Sequence, residues 1–343
     1  MSIPSPRPRT TPATRQDPGP DVVCVGETMA MLSPLDSGPL ATRRSLALGV
    51  GGAESNVACG LATLGHRAAW LSRVGADPFG QRVLADLAAH GVDVTGVRTD
   101  PERQTGVYFK DPGPDRTGVH YYRRGSAATR MGPELARLPL LGRARVLHLS
   151  GITAALSGSC AELLEEIVVR RAVPGPVVSF DVNYRQALWP EGREQAARAL
   201  LRLAGAADAV FVGRDEAESL WGAAKPEEIR ELLPGVPLLV VKDAGHGATS
   251  YSDDHGETFV PAPRSRIIER VGAGDAFAAG YLSAFLDGRD ATARLRLGHL
   301  VAGATLRSRS DIPTVPPRAE LDRLLALDEL SWTALNTALD KEG

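Results

Sequence analysis

Cysteine is scarce in this sequence. Cys24, Cys59 and Cys160 are the three in 343 residues, far apart and without a CxxC pair. That argues against a disulfide framework and for a reducing compartment, so a cytoplasmic location is expected. The histidines include no i, i+4 pair and none lies beside a cysteine, which leaves a structural zinc site without support. No apolar run approaches the roughly 20 residues of a membrane span, so no membrane association is expected. The opening MSIPSPRPRTTPATRQDPGP has no stretch resembling a signal peptide. Charge of one sign is not in excess either: 39 Lys and Arg face 41 Asp and Glu, a net charge of -2. Without a basic field, nucleic acid is not an expected partner. A small molecule is.

What is present is ordinary for a protein with a real core, with 43% hydrophobic and 23% charged residues. The length suits one large α/β domain carrying a small subdomain. Residues 1–20, rich in Pro, Thr and Arg, read as a flexible tail. Residues 331–343 read as a C-terminal tail, leaving 21–330 as the folded domain.

Short apolar runs recur at Val22–Gly26, Ala68–Val74, Val146–Leu149, Val177–Phe180, Ala209–Val212 and Leu238–Val241, with a last one near Ile267–Ile268. Helical periodicity fills the gaps at Ser55–Leu64, Gly80–His90, Ser159–Val169, Arg193–Ala204, Asp215–Trp221 and Glu227–Leu233. It returns at Ala273–Leu286 and Thr292–Arg307. Such alternation predicts an α/β fold with a mostly parallel sheet between helical layers. Two stretches, about 29–50 and 105–123, break the rhythm with β-type residues and turns, and are expected to pair as a β-flap, or lid.

Ligands of an open parallel sheet bind beyond the carboxyl ends of its strands. There the sequence places Asp181-Val182-Asn183-Tyr184-Arg185, Gly213-Arg214-Asp215-Glu216, Lys242-Asp243-Ala244-Gly245-His246-Gly247 and Gly272-Ala273-Gly274-Asp275. In the last, glycines admit an anion to the backbone and the following helix points its N–H groups and positive dipole end at it. Asp275 would then lie near both a phosphate and an incoming hydroxyl. An N-cap after a glycine turn explains the same four residues, and chance supplies on the order of 0.1–0.2 such strings in a chain this long. A second constellation, Gly51-Gly52 with Asn56 at the head of an apolar helix, suits a sugar hydroxyl or a plain helix start equally well.

Taken together the two constellations carry a resemblance. Gly51-Gly52, Asn56, Ala58, Gly65 and Gly75 are similar to the N-terminal signature of the ribokinase-like (PfkB) carbohydrate kinases, and Gly272-Ala273-Gly274-Asp275 to their C-terminal one. The resemblance runs from about Asp21 to Leu327. It implies a ribokinase-like three-layer α/β/α fold with ATP as donor and Mg²⁺, and leaves a monovalent cation open. It implies Asp275 as catalytic base in the catalytic turn Gly272-Ala273-Gly274, with the amides of Ala273, Gly274 and Asp275 forming the anion hole. Glu216 would order the metal, and Asn183, Lys242, Gly245, Gly247, Gly272 and Gly274 would meet the nucleotide. Such flaps often pair between subunits, so a homodimer through the lid is expected.

Tyr121-Tyr122-Arg123-Arg124-Gly125-Ser126 and Asp181-x-Asn183-Tyr184-Arg185 resemble 2-keto-3-deoxygluconate kinases in particular. Gly52, Asn56, Tyr108, Tyr121, Arg123 and Arg185 would then bind a sugar acid, phosphorylated on its terminal hydroxyl. Arg123 and Arg185 would hold the carboxylate, which a guanidinium fork suits. A fructokinase or other keto-sugar kinase is the nearest alternative; an inactive sugar- or nucleotide-binding homologue is another. Three departures stand out: no Asn in Gly213-Arg214-Asp215-Glu216, Ala244 in place of a glycine, and Glu269-Arg270-Val271 where Asp-Thr-Thr is commoner. They put the nucleotide side and any monovalent-cation site in question.

Overall fold

The apolar runs become the middle layer of the molecule. The computed structural model describes residues 19–35, 38–113, 117–310, 312 and 315–335. In chain order the first strands are β1 (Val22–Val25), β2 (Met29–Pro34), β3 (Leu46–Gly51), β4 (Ala68–Leu71), β5 (Arg73–Gly75), β6 (Arg98–Asp100) and β7 (Val107–Pro112). There follow β8 (Thr117–Tyr122), β9 (Val146–Ser150), β10 (Val177–Asp181), β11 (Ala209–Gly213), β12 (Leu238–Asp243), β13 (Gly247–Ser252) and β14 (Gly256–Pro261).

Eight strands form the main sheet in the order β14-β13-β12-β11-β10-β9-β1-β4. From β12 to β4 every pairing is parallel; β13 and β14 add an antiparallel hairpin at one edge. Alternate strand residues feed two cores. Val23 and Val25 of β1 pack with the helices at 158–164 and 193–206, while Val22 and Cys24 pack with those at 53–63 and 273–286. Burial on both faces is why these strands read as continuous apolar runs. The three-layer α/β/α expectation is met. The chain leaves β1 first towards β4 and later towards β9, so the sheet has its switch point between β1 and β9, where ligands of such folds bind.

The lid is a separate sheet, β3-β2-β7-β8, from the two stretches expected to pair. It has a small apolar cluster of its own: Met29, Met31 and Tyr108, with Val119 against them.

Several expectations need correction. The run Ala68–Val74 is two strands: β4 enters the main sheet and β5 turns away to pair with β6. Ile267 and Ile268 form no strand and are 47% and 49% exposed. The last strands are instead the β13–β14 hairpin, whose Gly, Thr and Ser content hid it. The C-terminal boundary at 331 falls inside a helix, Glu329–Ala334. Trp332 is buried there and its Nε1 donates to the Pro261 carbonyl at 2.9 Å. The tail expected at 1–20 lies outside the described residues, except Gly19 and Pro20, which are buried. Among the described residues no helix is long and apolar enough to cross a membrane.

Candidate active site

Two helices that open at the carboxyl rim of the sheet set the centre of the site. The helix Ala273–Leu286 is rich in small residues and buried almost all round. It lies against the helix Ala53–Thr63 so closely that a Cβ on Gly60 would stand 2.7 Å from the Ala279 Cβ. Gly60 is one turn below Asn56, and Ala279 one turn below Asp275. The close approach therefore brings the two helix starts together, and Asn56 Nδ2 donates to Asp275 Oδ2 at 2.9 Å. Gly52, just before the first helix, is needed for space: a Cβ there would sit 2.2 Å from the Glu27 carbonyl.

The Gly272 turn shapes the space before Asp275. Gly272 caps the helix at φ 84°, in the left-handed region that favours glycine. Ala273 N–H is turned to the Arg270 carbonyl at 3.4 Å and Ala276 N–H to that of Gly272 at 2.9 Å. The amides of Gly274 and Asp275 are then the ones to offer an anion, in place of the expected three.

Opposite stands a group of charges from the ends of β10 to β12. Lys242 Nζ donates to Asp181 Oδ2 at 2.7 Å. Glu216, in the first turn of the helix Arg214–Trp221, accepts the Gly213 N–H at 2.9 Å as a helix cap and the Tyr184 N–H at 3.0 Å. Arg185 lies 3.5 Å from the same carboxylate. Asn183 adopts φ 38°, a left-handed conformation Asn tolerates better than most residues. Its Nδ2 approaches Asp275 Oδ1 at 3.5 Å.

Burial dominates the electrostatics. It pushes Asp275 up to about 7, against the Asn56 hydrogen bond and aided by the nearby Asp181. The carboxylate borders a cavity, yet protein surrounds it closely enough to disfavour its charge. Burial also raises Glu216, opposed by Lys242. For Lys242 burial works downwards, but Asp181 and Glu216 outweigh it and the net shift is upwards. The result is a carboxyl group poised near neutrality beside a fixed cation, as a general base requires.

Two cavities meet at this centre. The first, about 500 Å³, is lined by Tyr121 and Val119 of the lid and by Asp181, Asn183, Arg185, Glu216, Lys242, Gly272 and Asp275. The second, about 620 Å³, lies behind the turn against Gly245, Gly247, Ala273, Phe277 and His299. Lys242, Ala244, Arg270 and Gly274 border both. His299 is pushed down to about 4 by burial, and its Nε2 lies 3.1 Å from the Val260 carbonyl. A neutral ring with that proton leaves an uncharged wall for a flat, apolar ligand part.

Not every expected site residue reaches a cavity. Asn183 borders the first cavity and not the second, and stands beside Asp275. Tyr108 is buried in the lid, its ring 5.8 Å from that of Tyr121. Arg123 is buried too. Its Nε donates to Glu27 Oε2 at 2.6 Å, its Nη2 reaches the same oxygen, and Ser126 Oγ donates to Oε1. The two guanidinium groups expected to share a carboxylate are thus placed differently: Arg185 is on the cavity wall, Arg123 in a lid anchor behind it. Asp181, Arg270 and His299 were not singled out for these positions. Asp181 stands out in the sequence as a strand-end residue and Arg270 as part of the unusual lead-in to the glycine turn, both without a role there; His299 carries no sequence signal.

A metal fits only in company. Among the described residues no three His, Cys, Asp or Glu gather to hold one. Mg²⁺ commonly takes one or two carboxylates together with substrate phosphates and waters. Asp181 and Glu216 suit that, Glu216 through water, since both its oxygens are engaged by backbone amides.

A lidded α/β fold, a helix start carrying a carboxylate tuned near neutrality, and two cavities joined at an anion turn define a phosphotransferase acting on a small hydroxyl compound. The family model described as pfkB family carbohydrate kinase matches residues 20–318. The chain belongs to that family. It is 34% identical over 311 residues to the 2-dehydro-3-deoxygluconokinase of Bacillus subtilis (strain 168), covering 89% of this chain and 95% of that protein. It is 32% identical to the 2-dehydro-3-deoxygalactonokinase of Haloferax volcanii, covering 89% and 96%. Among solved structures, the PfkB protein from Polaromonas sp. JS666 superposes with a TM-score of 0.80 at 35% identity, covering 89% of this chain and 99% of that one.

Proposed function

We propose that this carbohydrate kinase transfers the γ-phosphate of ATP to the terminal hydroxyl of a 2-keto-3-deoxy sugar acid, with 2-keto-3-deoxygluconate as the first choice. The observation that carries the chemistry is Asp275, a carboxylate raised to about 7 at a helix start, where two cavities meet. It would take the proton from the acceptor hydroxyl, steadied by Asn56 and Asn183. The amides of Gly274 and Asp275, with Lys242 beside them, would receive charge on the transferring group. Asp181 and Glu216 would hold Mg²⁺ through water, and the ion would neutralise phosphate charge. ATP would lie along the second cavity, its base against Phe277 and His299.

The acceptor is proposed from the relatives, and from Arg185 and Tyr121 on the wall of the first cavity. One observation favours a neutral keto-sugar instead: Arg123 is engaged with Glu27 and does not border that cavity. A coupled ADP-release assay over 2-keto-3-deoxygluconate, its galactonate epimer and fructose separates these readings. The sugar-acid reading expects the highest kcat/KM on one of the acids, and a fructose preference would overturn it. The proposed dimer pairs lid with lid, supported by Leu48 and Tyr122, exposed on the lid by 39% and 69%. A cytoplasmic location is proposed with it, in keeping with three free, buried cysteines.

A further inference from the structure

The lead-in that departs from the family pattern begins at Glu269, and this residue is nine-tenths buried. Its Oε1 accepts the backbone N–H of Arg270 at 2.8 Å and of Val271 at 3.2 Å, the two residues that run into Gly272. Its Oε2 faces the lid. There it accepts Thr117 Oγ1 at 3.0 Å, with Lys110 Nζ 3.9 Å away. Lys110 is only 2% exposed, and its ammonium also donates to the Arg309 carbonyl at 3.3 Å. Lys110 belongs to β7 and Thr117 opens β8. One carboxylate thus joins both strands of a lid hairpin to the turn that shapes the anion hole.

None of Lys110, Thr117 and Glu269 borders either cavity. Stability does not explain them, because burying an ammonium and a carboxylate costs about as much as their attraction returns. What the arrangement does secure is geometry. Glu269 fixes the Arg270 and Val271 amides in the turn, and the Thr117 hydroxyl and Lys110 ammonium of the lid fix Glu269. A monovalent cation does not fit at this carboxylate, which two amides, a hydroxyl and an ammonium already serve.

We propose that Glu269 is a positioning residue coupling the seated lid to the anion hole, with the Lys110 ammonium as the resident cation of the loop. Lid closure over an acceptor would then aim the amides of Gly274 and Asp275, and turnover would not depend on the monovalent salt present. The proposal rests on the carbohydrate-kinase class and not on which sugar is the acceptor.

The test measures ADP release with the acceptor that wild-type protein turns over best, in potassium, sodium and tetramethylammonium chloride at equal ionic strength. Lys110→Met and Thr117→Val are compared with wild type, and each variant's unfolding midpoint is recorded. Wild-type kcat is expected to agree within about twofold across the salts. Because small misplacements of an anion hole are costly, Lys110→Met is expected to lose about tenfold or more in kcat, with acceptor KM changed less than about threefold. Methylammonium should restore part of that loss by supplying the missing cation. Thr117→Val, lacking one hydrogen bond to Glu269, should lose about threefold in kcat. Calorimetry with a non-hydrolysable ATP analogue should show nucleotide affinity within about threefold of wild type for both variants, since positioning for transfer is what is lost.

Strong potassium dependence of the wild type would overturn the proposal. So would a folded Lys110→Met with full kcat, or one whose loss no amine rescues. Should Lys110→Met not fold, unchanged kcat in Thr117→Val would overturn it by itself. A mistaken acceptor would show differently, as wild-type preference for a neutral sugar, and the same comparisons would be run on that sugar.

Discussion

The carboxyl rim of the sheet and the lid above it border one cavity, but they are fastened in different ways. The rim is held by packing: Gly60 against Ala279, Gly280 within 2.5 Å of the Leu297 carbonyl for any added Cβ, and two extensive apolar cores below. The lid has a small apolar cluster of its own and is tied down by polar links, Arg123 to Glu27 at one end and Lys110 and Thr117 to Glu269 at the other. Packed interiors resist small displacements, whereas hydrogen bonds and ion pairs can break and reform during a catalytic cycle. The proposed base belongs where nothing should move, and the lid where something must. The contrast predicts that changes at the rim act on kcat, as do changes in the Glu269 link because it reaches the rim turn, while changes in the Arg123–Glu27 anchor act on acceptor KM.

The largest effect is expected at Asp275, the proposed base. Asp275→Asn should lower kcat by about 10³-fold, within the range of general base catalysis, with ATP-analogue affinity little changed in calorimetry. Near-normal turnover would end the base assignment. Next is Gly60→Val, which inserts bulk 2.7 Å from Ala279 and drives Asn56 away from Asp275. It should cost about 1–3 kcal/mol in denaturant unfolding, and about 10²-fold in kcat if the two helix starts must stay together.

The pH profile follows from Asp275. Its pKa in the fold is raised to about 7, so the ionised base is plentiful only above that value. Wild-type kcat/KM should fall about tenfold per pH unit below 7 and level off above it. The sign for stability is the reverse. The fold binds this proton more tightly than the unfolded chain does, so the group's stabilising contribution is lost as pH rises through about 7. Asp275→Asn should lack that loss, seen as a smaller fall in unfolding midpoint between about pH 4 and about pH 8.

In the lid, Glu27→Gln weakens the anchor of Arg123. It should raise acceptor KM about tenfold while leaving kcat within about threefold, as an effect on lid closure would. An equal loss in kcat would break the contrast drawn here. The smallest change is expected from Ala244→Gly. Ala244 holds φ 41°, where a side chain is strained. Glycine relieves the strain but loosens the unfolded chain, for a net gain of up to about 1 kcal/mol in unfolding free energy.

Much of this was legible in the sequence, for reasons that differ by element. The parallel strands announced themselves because burial on both faces demands unbroken apolar runs, as in Val22–Val25 and Leu238–Val241. The β13–β14 hairpin did not, because an edge hairpin tolerates Gly247, Thr249 and Ser250. Ala244 was noted as standing where a glycine would, and the left-handed backbone there gives the reason a glycine suits. Arg123 was read as facing a ligand, since a Tyr-Tyr-Arg run carries no sign of the carboxylate waiting beneath it.

By itself, then, the amino-acid order determined the sheet, the glycine turns and the helix that starts at Ala273, because periodicity and backbone permissiveness are local properties. It also singled out Asp275. Only the tertiary structure decided what that residue could do. Asn56 lies 219 residues away in sequence and 2.9 Å away in space. The burial that lifts the carboxylate to about 7 belongs to no single segment. The same holds for Glu269, an unexplained departure in the sequence and, in the fold, the link between the lid and the Gly272 turn. Desolvation and long-range hydrogen bonds are set by what packs around a group, and that is known only once the chain has closed on itself.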